Sequence, residues 1–329
     1  MKQISTPVVL IVFNRPELTR RVFDAVAAAK PTQLLLVADG PRRGREGEAA
    51  LCEQVRSIVS SVDWPCHVEE NFATENLGCR RRVISGLNWA FSLVDEAIIL
   101  EDDCLPDASF FPFCSELLQR YRDCHQVGFI AGGNFLEESF YLDYSYYFTL
   151  ITPIWGWATW RRSWRQYDER ISTWPNVKEG KLLNHLFPNR RIVDYWTNIF
   201  DGMYRGIGPD TWDYQWTYTC WTRGWVNVFP ARNLVQNIGF GEDATHTRRV
   251  DPITAIPARS LPFPLRHPPA ITAWPEHAME FQNRVYAPNI FRRAYRKLER
   301  ALRGDRIKRS TQAPSVLSQE AQMYKDTSE

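Results

Sequence analysis

Three consecutive carboxylates, Glu101, Asp102 and Asp103, stand directly after the short apolar run Glu96-Ala-Ile-Ile-Leu100. A run without polar alternation reads as a strand covered on both faces, as in a parallel sheet. In open α/β sheets the carboxyl ends of such strands are where ligands bind. Like charges this close raise each other's pKa unless something positive stands between them. A divalent cation supplies that charge. Oxygen ligands at a strand mouth suit Mg2+ or Mn2+, held by one or two carboxylates with phosphate oxygens and waters completing the shell. Because side chains alternate along a strand, Glu101 and Asp103 are expected on one side and Asp102 on the other. Asp103 is then the metal ligand, Asp102 the contact to a ribose or a metal-bound water, and Glu101 a support. The alternative for the same three residues is a solvated acidic loop.

The elements before this triplet alternate. Pro7–Phe13 reads as a strand, Pro16–Lys30 as a helix with apolar Leu18, Val22, Val26 and Ala29, Gln33–Ala38 as a second strand, and about 47–60 as a second helix. Strand-helix alternation implies an α/β fold with a mainly parallel sheet and right-handed crossovers. Cys66–Glu70 is a third strand and Val83–Leu93 a helix, with Arg80, Arg81 and Arg82 near its N-terminus, where free N–H groups and guanidinium groups both meet phosphate. A helix follows from Pro106 to Arg122, then the strand Val127–Ala131, closed by Gly132-Gly133-Asn134, where backbone approaches a ligand closely. Asn14, Arg15, Asp39, Arg80 and the triplet thus collect on one sheet edge, as a nucleotide-diphosphate pocket in which Asp39 accepts from base or ribose. Asp39-Gly-Pro is also ordinary turn chemistry.

Ten of the thirteen tryptophans lie between Trp155 and Trp225. Most belong in a core, yet flat aromatic faces in a cleft also carry sugar rings. Asn134, Trp155 and Trp157 are candidates for such a pocket. Asp210 is the expected N-cap of a helix reaching Thr222, with Asp213 in its first turn, and Gly224–Phe229 is a strand. Eight prolines between Asp251 and Pro288 make that stretch an extended surface wrap. From Phe291 to Arg309, nine Lys or Arg accompany apolar Phe291, Tyr295, Leu298 and Leu302 at helical spacing. Such a helix lies on an anionic membrane surface or packs on protein.

The bulk numbers narrow the class. A hydrophobic fraction of 44% and a charged fraction of 24% are those of a soluble globular protein, and a net charge of +2 offers no field for nucleic acid. Seven cysteines with no Cys-x-x-Cys pair favour a reducing compartment. The apolar run Val8–Phe13 is too short for a signal peptide or a membrane span, so the expected location is cytoplasmic, at most peripheral on the inner face of the membrane. No Gly-x-Gly-x-x-Gly follows the first strand and no Gly-Lys-Ser/Thr loop occurs, which removes the dinucleotide and nucleoside-triphosphatase readings.

Asn14-Arg15, Asp39-Gly40, Asn76-x-Gly78 and Glu101-Asp102-Asp103 resemble the GT-A fold glycosyltransferases, whose Asp-x-Asp-type motif binds a divalent metal and a nucleotide sugar. The likeness is greatest to the N-acetylglucosaminyltransferase I-like and bacterial family 2-like enzymes. It spans roughly residues 7 to 247. It implies a GT-A (Rossmann-like) fold with an aromatic-rich acceptor half and an extended C-terminal tail. Residues 1–134 would form the nucleotide-sugar-binding half and 135–250 the acceptor and catalytic half of the same domain. The proline-rich wrap is 251–290, and 291–329 a basic amphipathic helix with a disordered tail.

The resemblance also assigns roles. Trp212-Asp213 matches the segment carrying the catalytic base, with Trp212 beside the substrate. Phe240-Gly241 is similar to an element near the donor phosphates, and a C-terminal histidine, here His246, ligates metal or contacts phosphate in several such enzymes. Tyr214-Gln215 stands where the eukaryotic members have a second Asp. The activity implied is a metal-dependent (Mn2+ or Mg2+), inverting transfer from a nucleotide-diphosphate sugar, UDP-linked by preference, to a glycan or lipid-linked glycan acceptor, with no nucleic-acid partner. Asp213 would take the acceptor proton while the metal neutralises the departing diphosphate. Two rivals remain. A sugar-1-phosphate nucleotidyltransferase needs a Gly-rich basic loop after the first strand, where Asn14-Arg15-Pro16-Glu17 stands. A non-catalytic carbohydrate-binding protein has no use for three carboxylates at a strand end.

Overall fold

The computed structural model describes residues 3–136, 143–239 and 256–286. The elements in chain order are β1 (Val8–Val12), α1 (Pro16–Ala29), β2 (Gln33–Ala38), α2 (Glu48–Val59), β3 (His67–Phe72), α3 (Cys79–Leu93), β4 (Glu96–Glu101), β5 (Cys104–Pro106) and α4 (Phe110–Arg120). They continue with β6 (Val127–Ala131), β7 (Tyr146–Thr149), β8 (Trp157–Trp160), α5 (Arg161–Trp164), α6 (Trp174–Glu179), α7 (Leu182–Leu186), α8 (Arg190–Tyr204), α9 (Asp213–Thr222), β9 (Val226–Pro230), β10 (Val235–Asn237) and α10 (Pro275–Phe281).

An eight-stranded sheet, ordered β3-β2-β1-β4-β8-β6-β9-β7, forms the spine. The first four are mutually parallel. β8 is wedged between β4 and β6 and runs antiparallel to both. β9 is parallel to β6, and β7 closes the edge antiparallel to it. The class is therefore the expected one, α/β with a mostly parallel sheet flanked by helices. The two reversed strands were not expected.

Alternation survives inside the continuous apolar runs. Val8, Leu10 and Val12 of β1 face one core with Val22, Phe23 and Val26 of α1, while Val9 and Ile11 face the other with Val83, Leu87 and Phe91 of α3. A third cluster joins α6, α7, α8 and one side of α9 through Trp174, Phe187, Trp196, Phe200 and Tyr218.

The segment expected to be an extended wrap is only partly so. Residues 256–274 lack regular structure apart from a bridge between Phe148 and Ala273, but Pro275 then starts α10, continued by a π-helical turn to Tyr286. Proline at the first helical position costs no hydrogen bond, so proline count alone underestimates helix here. The basic stretch 291–309 lies outside the described residues, and among those described no helix is long and apolar enough to cross a membrane. All seven cysteines are free thiols.

Candidate functional site

β1 and β4 lie side by side with Ile11 opposite Glu101, so the chain leaving β1 meets the acidic triplet. The Arg15 guanidinium pairs with both aspartates: Nη2 donates to Asp102 Oδ1 and, at 3.0 Å, to Asp103 Oδ2, and Nε reaches Asp102 Oδ2 at 3.4 Å. The backbone N–H of Phe13 donates to that same Asp102 oxygen at 3.3 Å. The expected alternation therefore breaks. β4 ends at Glu101, and residues 102–103 turn, which brings both aspartates to one guanidinium instead of opposite faces. Glu101 alone follows the strand register, on the side of α3 and α9.

From the other direction the chain approaches through a short ribbon. β10 pairs antiparallel with β5, and Ile238 N–H donates to Asp103 O at 2.8 Å. Gly239 then presses on the pair. A Cβ there would lie 2.3 Å from Asp103 Oδ2 and 2.8 Å from Arg15 Nη1, so only glycine fits without displacing charged groups.

The electrostatics follow from burial. Loss of solvent pushes the Glu101 carboxyl up to about 8, with the charges of Asp103, Asp102 and Asp213 adding to the effect and Arg15 opposing it. Asp102 is pushed up to about 6, burial outweighing the relief from Arg15. Burial alone would lower Arg15, but the two carboxylates raise it above its ordinary value. Cys79, the first residue of α3, has its thiol raised by burial and then by Glu101, Asp213, Asp210 and Asp103. Those four carboxylates, from two separate stretches of chain, therefore converge on one helix start.

Asp213 opens α9 as its first residue and accepts from Thr211 Oγ1. The helix begins two residues later than expected, with Trp212 at the N-cap position. Asp210 is not its N-cap but an exposed residue whose Oδ2 would stand 3.1 Å from a Cβ on Gly78. Gly78 holds φ +79° just before α3, which suits glycine.

Several candidate ligand residues are occupied by the protein itself. Asp39 accepts four hydrogen bonds, from the N–H groups of Gly40, Leu77 and Gly78 and from Asn76 Nδ2, at 2.8 to 3.1 Å. It shapes the loop that starts α3, which leaves little for a base or ribose. Asn134 spends its side chain on Pro230 O, Tyr147 Oη and Leu136 N–H, so it is structural and not sugar-facing. Gly132 gives room to Gly156, Val235 and Phe110, not to a ligand. Trp157 and Trp212 are each 1% exposed and stack on one another at 5.5 Å, so their faces belong to the core. Trp155 is half-buried at the start of β8, 4.8 Å from Phe135, and remains at the carboxyl edge.

Arg80 turns to Glu169, donating to its backbone oxygen at 3.1 Å, while Arg82 is buried against Asn71. Asn14 Nδ2 donates to Glu48 Oε1 at 3.0 Å. Gly241 and His246 lie outside the described residues. Sequence reasoning missed Glu48, a buried carboxylate at the start of α2 that also holds Arg42, and Cys79. Neither carries a local signal beyond the charge of Arg42 six residues before Glu48.

Among the described residues no group of three or more His, Cys, Asp or Glu could hold a metal ion. Asp102 is closed, its side chain 4% exposed, whereas that of Asp103 is 17% exposed. One reachable carboxylate suits a cation that brings phosphate oxygens and water as its other ligands, the usual habit of Mg2+ with nucleotides.

No family model matches the chain, and no curated protein matches it. Among solved structures it is similar to the mannosyltransferase PcManGT from Pyrobaculum calidifontis in complex with GDP-Man and Mn2+, at 14% identity and TM-score 0.33 over 49% of this chain and 46% of that one. A UDP-glucose pyrophosphorylase complexed with UDP-glucose follows at 10% identity and TM-score 0.31, over 50% and 79% of the two chains. Galactosyltransferase LgtC, in complex with donor and acceptor sugar analogs, gives 14% and 0.31, over 53% and 64%. The matched part thus spans less than half the length of the mannosyltransferase.

Proposed function

We propose that the chain is a metal-dependent, inverting glycosyltransferase that moves a sugar from a nucleotide diphosphate, with UDP favoured, to a hydroxyl of a glycan or lipid-linked glycan. One observation carries this reading: Arg15, the acidic turn and Asp213 converge at the carboxyl edge of a mostly parallel sheet, with Gly239 packed against them. In this reading Asp103 offers its oxygen to a Mn2+ or Mg2+ ion carried on the diphosphate. The ion would supply neutralisation of the leaving group's charge. Arg15 fixes the turn, and Asp102 fixes Arg15.

Asp213 holds the position for a general base. As the acceptor oxygen bonds to the anomeric carbon, the carbon–oxygen bond to the diphosphate breaks and the hydroxyl proton passes to the Asp213 carboxylate. Thr211 Oγ1 donates to Oδ1 and so orients the carboxylate that takes the proton. The proposed membrane contact rests on residues 291–309 and stands apart from this chemistry.

The test is thermal denaturation in the presence of nucleoside diphosphates and nucleotide sugars, with and without Mn2+. Stabilisation that needs both metal and nucleotide, and that Asp103→Ala abolishes, is the expected result. Equal stabilisation of wild type and variant would remove Asp103 from the site.

A further inference from the structure

The glycosyl-transfer reading leaves a difficulty: a cation arriving at Asp103 finds one already there. We propose that Arg15 is a resident counter-cation that closes Asp103 to free divalent ions and gives way only to an ion already carried on a nucleoside diphosphate. The proposal rests on the glycosyl-transfer reading.

The two limbs of the Arg15 contact are unequal. Asp102 is held by Nη2 and Nε and is clamped further by Phe13 N–H. Asp103 takes only Nη2 of the guanidinium, at 3.0 Å, and beyond it the Cys104 thiol, with Sγ 3.5 Å from Oδ1. Asp103 is also the more exposed of the two, at 17% against 4%. An incoming ion therefore opens the Asp103 limb and leaves the Asp102 limb intact. Gly239 crowds the guanidinium as well, since a Cβ there would stand 2.8 Å from Arg15 Nη1.

Charge decides which ion succeeds. Two carboxylates and one guanidinium leave a single negative charge in a half-buried place. A bare divalent ion would turn this into a single positive charge, and an unmatched charge away from water is costly. A divalent ion bound to a nucleotide sugar, whose diphosphate carries two negative charges, arrives neutral, and one bound to a free nucleoside diphosphate, with about three, arrives with a single negative charge, so neither leaves the place with an unmatched positive charge. The Nη2 hydrogen released from Asp103 then has a phosphate oxygen to meet, as guanidinium groups prefer. Metal and donor should accordingly bind as one unit.

The experiment follows free Mn2+ by its paramagnetic resonance signal, titrated with protein alone and with UDP, GDP or dTDP, for wild type, Arg15→Gln and Arg15→Lys. In wild type, one nucleotide should tighten Mn2+ binding by at least about tenfold. Arg15→Gln should bind Mn2+ without nucleotide at least about tenfold tighter than wild type, since a unit positive charge beside the ligand is gone. Arg15→Lys, which keeps the charge, should stay near wild type. The proposal is overturned if folded Arg15→Gln, checked by near-ultraviolet circular dichroism, binds Mn2+ alone no tighter than wild type. If that variant does not fold, wild type decides: equal Mn2+ affinity with and without nucleotide overturns the proposal. Failure of wild type to bind any of the three nucleotides, with or without Mn2+, would sink the glycosyl-transfer reading itself.

Discussion

Acid should weaken this fold through one histidine. His277 of α10 is 0% exposed, with Nε2 2.7 Å from Tyr147 Oη, Nδ1 3.4 Å from Thr149 Oγ1, and its ring against those of Tyr147, Phe229, Trp274 and Phe281. Burial pushes its pKa down from 6.5 to about 3. The folded chain thus keeps the ring neutral where the unfolded chain takes up a proton. The stabilisation is fully present above pH 6.5 and is lost as pH falls toward 3. Each pH unit in that window removes about 1.4 kcal/mol, so about 2 kcal/mol is gone at pH 5 and at most ~5 at pH 3. Glu101 and Asp102 act in the opposite sense, since their raised folded values make protonation favour the folded state. Wild type alone would mix these effects, and a comparison with His277→Gln separates them. Urea denaturation at steps from pH 8 to 4.5 should show wild type losing about 2 kcal/mol relative to the variant between pH 7 and 5. A difference that stays constant over that range would refute the reasoning.

Other outcomes are equally open to measurement. Asp213→Asn should retain metal-dependent nucleotide binding while transfer falls by about 10²- to 10⁴-fold, read as product formed per enzyme; wild-type turnover would remove the base. Gly239→Ala forces a methyl group against Asp103 and Arg15 and should weaken donor affinity by about 1–3 kcal/mol, measured by calorimetry; unchanged affinity would place the donor elsewhere. Trp157→Ala should lower stability by about 3–5 kcal/mol in urea, and a folded, equally stable variant with altered acceptor KM would return this ring to the substrate pocket.

How much the sequence disclosed depended on distance along the chain. β1, β2, β4 and β6 were readable because each is a continuous apolar run between turn residues, and α1 because Val22, Val26 and Ala29 share one face. β7 and β8 were not. Tyr146–Thr149 and Trp157–Trp160 are four-residue pieces, buried throughout, within an aromatic stretch where core helix, strand and ligand pocket look alike. Asp39 shows the same limit at the site. Its acidic, strand-terminal position was visible, but its employment by Leu77 and Gly78, almost forty residues on, was not. The turn at Asp102 and Asp103 escaped for a local reason, since strand alternation was carried two residues past the end of β4.

The position of β8 bears on how the chain is made. β4 pairs with β1 on one side, but its other edge stays bare until Trp157–Trp160 exist. At translation speeds of about 5–20 residues per second, synthesis from residue 101 to 160 takes roughly 3–12 s. Throughout that interval Ala97-Ile-Ile-Leu100 presents an unpaired apolar border of the kind that recruits foreign strands. A nascent chain stalled before residue 157 should therefore be markedly more aggregation-prone than one stalled after 164, when the wedge has slotted home.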